Sequence, residues 1–173
     1  MPPQVWASIT HIHVFAQMFA LRRGLEYVFC AERVNLVPRH ITLTLRYTDW
    51  WNWEHNQPIY PIRPGKFIDM RNIVLPPFIS SVTVQFESIE SKEEQLSGVI
   101  GEIFARRDWW IWTRADGKRL LVNGMDPKEE GAVKEWKWVG PTKFSDRFIY
   151  PHHGNGDCMG YVVKEVTWEV EKV

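Results

Sequence analysis

The stretch from Ile41 to Glu54 constrains the fold more than any other part of the chain. In its first half, apolar and polar side chains alternate, with Ile41, Leu43, Leu45 and Tyr47 in one set and Thr42, Thr44, Arg46 and Thr48 in the other. Period-two alternation with β-branched residues is typical of a half-buried strand. We therefore predict a strand that turns one apolar face toward a core and leads into an aromatic and acidic cluster.

Other segments predict the elements around this strand. Alternation predicts strands over 8–15, 81–87, 135–138 and 161–170, and residues 109–123 predict a hairpin in which Asp116 and Gly117 form a primed turn. Apolar residues at helical spacing predict helices over 17–29, 65–72 and 91–107. In the last of these, Ser91 as N-cap and Glu94 at the third position form a capping box.

The order of these elements predicts an α/β or α+β fold with a mixed sheet. Helical crossovers between the first strands imply parallel pairing, in strand–helix units about forty residues apart that suggest degenerate leucine-rich-like repeats. The C-terminal strands continue the same sheet in antiparallel fashion, because a separate domain of about 65 residues would be marginally stable. We expect one globular domain over residues 1–173.

Charge and cysteine content narrow the classes of function. Lys+Arg and Asp+Glu both total 21, so no net field draws the chain to phosphate backbones or anionic lipid, and we expect neither nucleic acid nor a membrane as a partner. No apolar run approaches the ~20 residues of a membrane span, and the N-terminal residues do not resemble a signal peptide. Cys30 and Cys158 are too few for a disulfide scaffold. We expect an intracellular, cytoplasmic protein whose cysteines are small, buried and reduced.

The aromatic cluster is the first candidate site. Flat rings beside carboxylates suit a sugar, a planar ligand or a cation. The candidate ligand-binding residues are Asp49, Trp50, Trp51, Trp53 and Glu54. In a continued strand, Trp51 and Trp53 would share one face and Trp50 would take the other. The alternative is that the rings plug the end of the sheet while Asp49 pairs with Arg46 or with turn backbone.

A second candidate lies near the C-terminus, where His152, His153 and Asp157 precede Cys158. These are metal-ligand types, but their spacing matches no established zinc pattern, and the intervening glycines and asparagine also suit a tight turn. A Cys158–His153 nucleophile pair would lack an orienting third group. We therefore expect no metal and no cofactor, and no catalytic residue is assigned.

Several tryptophan-containing motifs carry a family resemblance. They are the run from Leu45 to Glu54, Lys92–Leu96, Glu135–Pro141, Tyr161–Val163 and Thr167-Trp168. In this ordered set the chain resembles an abundant group of uncharacterised proteins from mushroom-forming fungi, often predicted to be F-box- or leucine-rich-repeat-associated. The resemblance covers most of the chain from Thr10 onward. It implies a fold of that kind and no particular chemistry.

Three functions follow from these features. The first is a non-enzymatic recognition module with a tryptophan-rich surface that binds a protein partner. The second is a binder of a small molecule or carbohydrate that uses the Trp50–Glu54 cluster. The third is an acid–base hydrolase in which Asp49 and Glu54 act in an aromatic cleft. A concave pocket with a carboxylate of perturbed pKa would favour the second or third over the first.

Overall fold

A computed structural model of the chain describes residues 8–15, 25, 37–50, 53–59, 73–145, 148–149 and 157–171. In chain order its strands are β1 (His11–Phe15), β2 (His40–Leu45), β3 (Val74–Leu75), β4 (Ser81–Ile89), β5 (Trp112–Arg114), β6 (Arg119–Val122), β7 (Val133–Pro141), β8 (Lys143–Ser145), β9 (Phe148–Ile149) and β10 (Cys158–Val170). The described helical segments are α1 (Glu93–Ala105) and the 3-10 turns Tyr47–Asp49, Trp53–His55 and Glu90–Lys92. Leu25 is also helical and is buried.

Eight of these strands form one mixed sheet. Their order is β1-β2-β4-β10-β6-β5-β3, and β7 pairs with β10 beside this path. The strands β1, β2 and β4 are parallel, whereas β10 runs antiparallel to β4, β6 and β7. The described part of the chain is therefore α+β with strands predominating, which confirms the predicted mixed sheet. The predicted helices over 17–29 and 65–72, which would complete leucine-rich-like units, lie outside the described residues apart from Leu25.

The long strand β10 joins the two halves of the sheet. One edge of β10 pairs with β4 over residues 161–169. Its other edge pairs first with β7 over residues 158–166 and then with β6 over residues 168–170. Because two strands share one edge of β10, β7 has β10 as its only sheet neighbour among the described residues.

One face of the sheet is the hydrophobic core. Laterally paired residues lie on the same face of a sheet. On this face β2 and β4 contribute three pairs of almost fully buried residues: Ile41 with Val82, Leu43 with Val84, and Leu45 with Phe86. The helix α1 covers this face with apolar residues at helical spacing: Leu96, Val99, Ile100, Ile103 and Phe104. Burying one such side chain stabilises the fold by about 1.5–3 kcal/mol. The predicted apolar stripe of this helix is thus confirmed.

The opposite face carries a row of polar side chains that spans five strands. His13 Nε2 lies 2.6 Å from Thr44 Oγ1, which donates to Gln85 Oε1 at 2.7 Å. Gln85 Nε2 donates to Glu165 at 2.9 Å, and Lys134 Nζ donates to the other oxygen of that carboxylate at 3.1 Å. Because Thr44 gives its proton to Gln85, His13 must donate from Nε2. The threonines of β2 are therefore buried within a polar network, away from the apolar core.

Two local predictions about turns are wrong. The helix α1 has Lys92 as its N-cap, with no side-chain cap, because the 3-10 turn Glu90–Lys92 precedes it and replaces the expected Ser91–Glu94 capping box. The hairpin of β5 and β6 forms, but only Gly117 has a positive φ in its turn, +80°. A primed turn would also need a positive φ at Asp116, so the observed turn is a type I turn closed by a left-handed glycine.

Candidate binding site at the aromatic end of the sheet

The predicted cluster does not form one strand, because β2 ends at Leu45 and two 3-10 turns follow. The Asp49 carboxylate ends the strand by accepting the Arg46 backbone N–H at 2.9 Å and the Arg46 side-chain Nε at 3.1 Å. Asp49 N donates back to the Arg46 carbonyl at 2.8 Å. The buried Asp49 is thus a turn-forming residue, as the plugging alternative expected, and Trp53 lies in a 3-10 turn and not in a continuation of the strand.

The tryptophans of the cluster lie in different environments. Trp50 is 6% exposed and packs near Phe86, and its indole N–H donates to the Glu87 backbone carbonyl at 2.7 Å. Trp53 is half-buried and meets the Tyr47 ring edge-on at 5.9 Å. Glu54 is exposed, and Trp51 lies outside the described residues. Trp50 therefore plugs the end of the sheet, whereas Trp53 packs against Tyr47 and Glu54 faces solvent.

A pocket of about 130 Å³ does lie beside this cluster, at the carboxyl ends of β2 and β4. It is lined by Arg46, Tyr47, Thr48, Glu87, Trp138, Pro141 and Tyr161. Crevices at the carboxyl ends of parallel strands are common ligand sites in sheets of this kind. Aromatic rings supply much of this lining, and Glu87 is its one carboxylate.

A stacked pair of rings forms one wall of the pocket. Trp138 on β7 and Tyr161 on β10 are cross-strand partners, with ring centroids 4.5 Å apart and ring planes 15° apart. The stack requires a glycine at position 140, because a Cβ there would lie 2.7 Å from Trp138 Cη2 and 2.9 Å from Tyr161 Cε2. The Tyr161 hydroxyl donates to the Pro141 carbonyl at 2.6 Å, which fixes the position of the Tyr161 ring in the stack.

Glu87 is the charged group at the base of this wall. Burial raises the pKa of its carboxyl group, and the negative charge of Asp49 acts in the same direction. Hydrogen bonds from the Tyr47 backbone N–H and the Trp138 side chain, together with the positive charge of Arg46, lower the pKa of the same group but do not outweigh burial. Trp138 therefore reaches from β7 across β10 to β4, where it contacts Glu87.

The second feature of this end of the molecule is the strand β7. Each residue from Lys134 to Val139 is exposed. Trp136 and Trp138 are each 40% exposed on one face of the strand, and Val139 is 72% exposed on the other. For comparison, the described tryptophans Trp110, Trp112 and Trp168 are buried in the core. The chain therefore divides its aromatic residues between a core set and a surface set.

Ion pairs attach β7 to the rest of the fold. Lys137 Nζ lies 2.7 Å from an oxygen of Glu93, at the start of α1, and 3.6 Å from an oxygen of Glu90 in the preceding 3-10 turn. Lys134 pairs with Glu165 at 3.1 Å. Glu135 pairs with Lys164, which lies in β10. The charged side chains of β7 are therefore paired with neighbouring elements, and they share its exposed surface with Trp136, Trp138 and Val139.

The predicted metal candidates do not gather into a site in the described part of the chain. His152 and His153 lie outside it, and Asp157 is exposed. No group of three or more His, Cys, Asp or Glu side chains with metal-binding geometry occurs among the described residues. Cys158 is exposed at the start of β10, so its prediction as a buried hydrophobe is wrong. Cys30 lies outside the described residues.

Sequence reasoning missed the pocket residues Glu87, Trp138 and Tyr161. Each lies on a correctly predicted strand or at its end, but the register that brings the three strands together is not visible in local periodicity. One local signal was present. Gly140 two residues after Trp138 leaves the space that a large ring needs to fold back over its neighbouring strand.

Comparison of the chain with known protein families, with curated proteins and with solved structures finds no match. Within the described residues, no helix combines the length and the apolar character needed to cross a membrane.

Proposed function

We propose that this protein is a non-enzymatic recognition module that binds an extended segment of a partner protein along the outer edge of β7. The observation that carries the proposal is the exposure of every residue from Lys134 to Val139 on a nine-residue strand. In the described part of the chain this strand pairs on one side only. Its backbone groups can therefore accept a further strand, the recognition mode known as β-augmentation.

The side chains of β7 support the same proposal. Trp136 lies on one face of the strand and Val139 on the other, so a paired segment would be held by apolar contacts on both faces. Tryptophan is enriched among residues that dominate binding energy at interfaces. Exposed edge strands usually protect themselves with charged side chains. Here Lys134, Glu135 and Lys137 form ion pairs with residues of β10 and α1, so their charges are offset within the protein beside the exposed apolar side chains.

Hydrolysis is less well supported by the geometry. Glycosidic acid–base chemistry needs two carboxyl groups that flank one bond, and the lining of the described pocket contains only Glu87. Asp49 is bonded to Arg46 and Glu54 is exposed outside the pocket. The second candidate function is small-molecule binding, which the shape and the aromatic wall of this pocket favour.

Three broader assignments accompany this proposal. We propose that the chain is related to the F-box- and leucine-rich-repeat-associated fungal proteins, that its first strands derive from leucine-rich-like units, and that it is intracellular. The assignment to leucine-rich-like units is supported by β1, β2 and β4. These strands are parallel neighbours in the sheet and follow one another there in the order of the chain, with His11, His40 and Ser81 in register. Support for the third comes from the free thiol of Cys158.

The proposal is tested by affinity capture from an extract of the source cells with three immobilised proteins: wild type, Trp136→Ala and Trp109→Ala. Trp109 is a matched control because it is 42% exposed, close to the 40% of Trp136, and lies outside the sheet, where Arg106 stacks on it at 4.7 Å. We expect at least one protein that wild type and Trp109→Ala retain and that Trp136→Ala loses.

The proposal is wrong if all three proteins retain the same set, provided that Trp136→Ala melts within a few degrees of wild type. Loss of the same proteins from both variants would also contradict it, because the binding would then depend on surface hydrophobicity in general. Sedimentation of the wild-type protein alone shows whether the segment on β7 belongs to a second copy of the chain.

A further inference from the structure

We infer that the pocket over Glu87 binds a small organic ammonium group. The pocket shares Trp138 and Pro141 with β7, but Trp136 does not line it, so the two sites can be tested separately. The side chains of Tyr47, Tyr161 and Trp138 line a space that has a single carboxylate in its lining. Aromatic faces together with a carboxylate form the kind of site that recognises alkylated ammonium ions.

The charge distribution around the pocket favours a cation. Arg46 also lines the space, but its Nε and Nη2 atoms lie 3.1 and 3.4 Å from the Asp49 carboxylate. The Asp49 side chain is 1% exposed and the Arg46 side chain 44%, so the carboxylate of this ion pair is buried while the guanidinium is partly solvated, and the two charges offset each other. Arg46, Asp49 and Glu87 together carry one positive and two negative charges. Since Arg46 pairs with Asp49, the remaining negative charge is that of Glu87.

The bonds to Glu87 hold the carboxylate in place for such a ligand. Tyr47 N donates to Oε1 at 3.3 Å, a long hydrogen bond, and the Trp138 side chain lowers the pKa of the same carboxyl group. Both groups are neutral, so they favour the carboxylate without cancelling its charge. A bound cation would supply the compensating charge that Arg46, paired with Asp49, supplies only in part.

The chain already places one ammonium group beside an aromatic ring of this pocket. Lys92 Nζ lies 5.9 Å from the centroid of the Tyr47 ring, within the range of a cation–π contact, and donates to the Gln57 carbonyl at 2.6 Å. Lys92 itself is buried and is not part of the pocket lining. Tyr47 therefore separates this internal ammonium group from the space over Glu87.

The volume of the pocket limits the ligand to a head group. About 130 Å³ is the space of roughly four water molecules. A methylated ammonium head group fits this space, while the rest of the molecule would extend into solvent past Trp138. The head group can belong to a free amine or to an alkylated lysine side chain of a protein.

The test is an NMR titration of the full chain, with the indole N–H signal of Trp138 as the reporter, because Trp138 lines the pocket together with Glu87. The probes are choline chloride, its uncharged carbon analogue 3,3-dimethylbutan-1-ol, and the amide of N-acetyl-trimethyllysine. We expect saturable shifts with both cations and none with the alcohol. Tighter binding of choline would identify a free amine as the better ligand, and tighter binding of the lysine derivative would identify a protein side chain.

Two variants make the result specific to the pocket. Glu87→Gln keeps the size of the side chain and should weaken binding of both cations by about tenfold or more, since contacts to a charged group contribute that much. Glu54→Gln removes the same charge from an exposed position outside the pocket and should bind within about twofold of wild type.

The inference is wrong if the alcohol binds as tightly as choline, if Glu87→Gln binds within twofold of wild type, or if neither cation produces a saturable shift. Folding of Glu87→Gln is checked by the same spectrum, in which the signals of the buried Trp112 and Trp168 indoles should be unchanged. The capture experiment with Trp136→Ala is read separately, because Trp136 does not line the pocket.

Discussion

Substitution of Gly140 by alanine should dismantle the aromatic wall while leaving the fold intact. The added Cβ would lie 2.7 Å from Trp138 Cη2 and 2.9 Å from Tyr161 Cε2. Both atoms belong to rigid rings, and Tyr161 is fixed by its bond to Pro141. The Trp138 ring must therefore leave the stack, and its favourable interaction with the Glu87 carboxylate is lost with it.

The matched control is Gly160→Ala on the neighbouring strand. There the new Cβ would press on the Glu90 carboxylate, which is the end of a flexible side chain and can rotate away. Replacing a strand glycine by alanine stabilises a protein by about 0.5–1 kcal/mol when the space permits. That gain is common to both variants and cancels when they are compared.

The difference between the two variants is the energy of the wall. A stacked aromatic pair contributes about 0.5–1.5 kcal/mol, and the interaction of the Trp138 side chain with the Glu87 carboxylate contributes about as much again. Gly140→Ala should therefore be less stable than Gly160→Ala by about 1–3 kcal/mol in urea denaturation, with equal m-values. In the same samples, iodide should quench the fluorescence of Gly140→Ala more than that of Gly160→Ala.

Equal stabilities and equal quenching would refute this reasoning, since they would mean that Trp138 is not held against Tyr161 in solution. A Gly160→Ala variant that is itself strongly destabilised would show instead that Glu90 cannot move aside. In that case the stability of Gly140→Ala would be compared with that of wild type.

Three further predictions concern other residues. Trp50→Phe removes the indole that donates to the Glu87 carbonyl and should lower the free energy of unfolding by about 1–3 kcal/mol, measured by urea denaturation, whereas Trp109→Phe on the surface should change it little. Glu87→Gln should be equal to wild type in stability below the ordinary carboxyl pKa of 4.5 and increasingly more stable as pH rises through the raised pKa. The reason is that the folded state disfavours the ionised form of Glu87, which the variant lacks. Melting curves from about pH 3 to pH 8 measure this difference in stability, and a difference that stays constant over that range would contradict the prediction. Gly98→Ala in α1 meets no atom within 4 Å and should raise stability by about 1 kcal/mol; a loss of stability would show that α1 packs more closely there.

Local periodicity predicted the strands and the apolar stripe of α1 because these depend on neighbours along the chain. Ser81–Ile89 and Cys158–Val170 alternate clearly, and their burial follows the alternation over most of their length. The capping box at Ser91 failed for a tertiary reason. Lys92 bonds to the Gln57 carbonyl from a distant loop and is buried, so the chain turns once as a 3-10 segment before α1 begins.

The candidate site could not be predicted in the same way. Its residues come from four separated segments, and only the pairing of β2, β4, β10 and β7 brings Arg46, Glu87, Tyr161 and Trp138 together. The density of tryptophans near residue 50 predicted a binding site there, but in the structure Trp50 is buried and closes the core. Sequence shows how many rings lie close together but not which backbone carbonyl each indole will reach.

Hydrogen exchange measured by mass spectrometry tests the central claim about β7 most directly. The protein is compared alone and in complex with a protein captured in a Trp136-dependent manner. The account predicts that the peptide covering residues 133–141 becomes more protected in the complex, since the outward-facing amides of β7 would then pair with the added segment. Unchanged exchange in this peptide, with protection appearing elsewhere in the chain, would contradict the account.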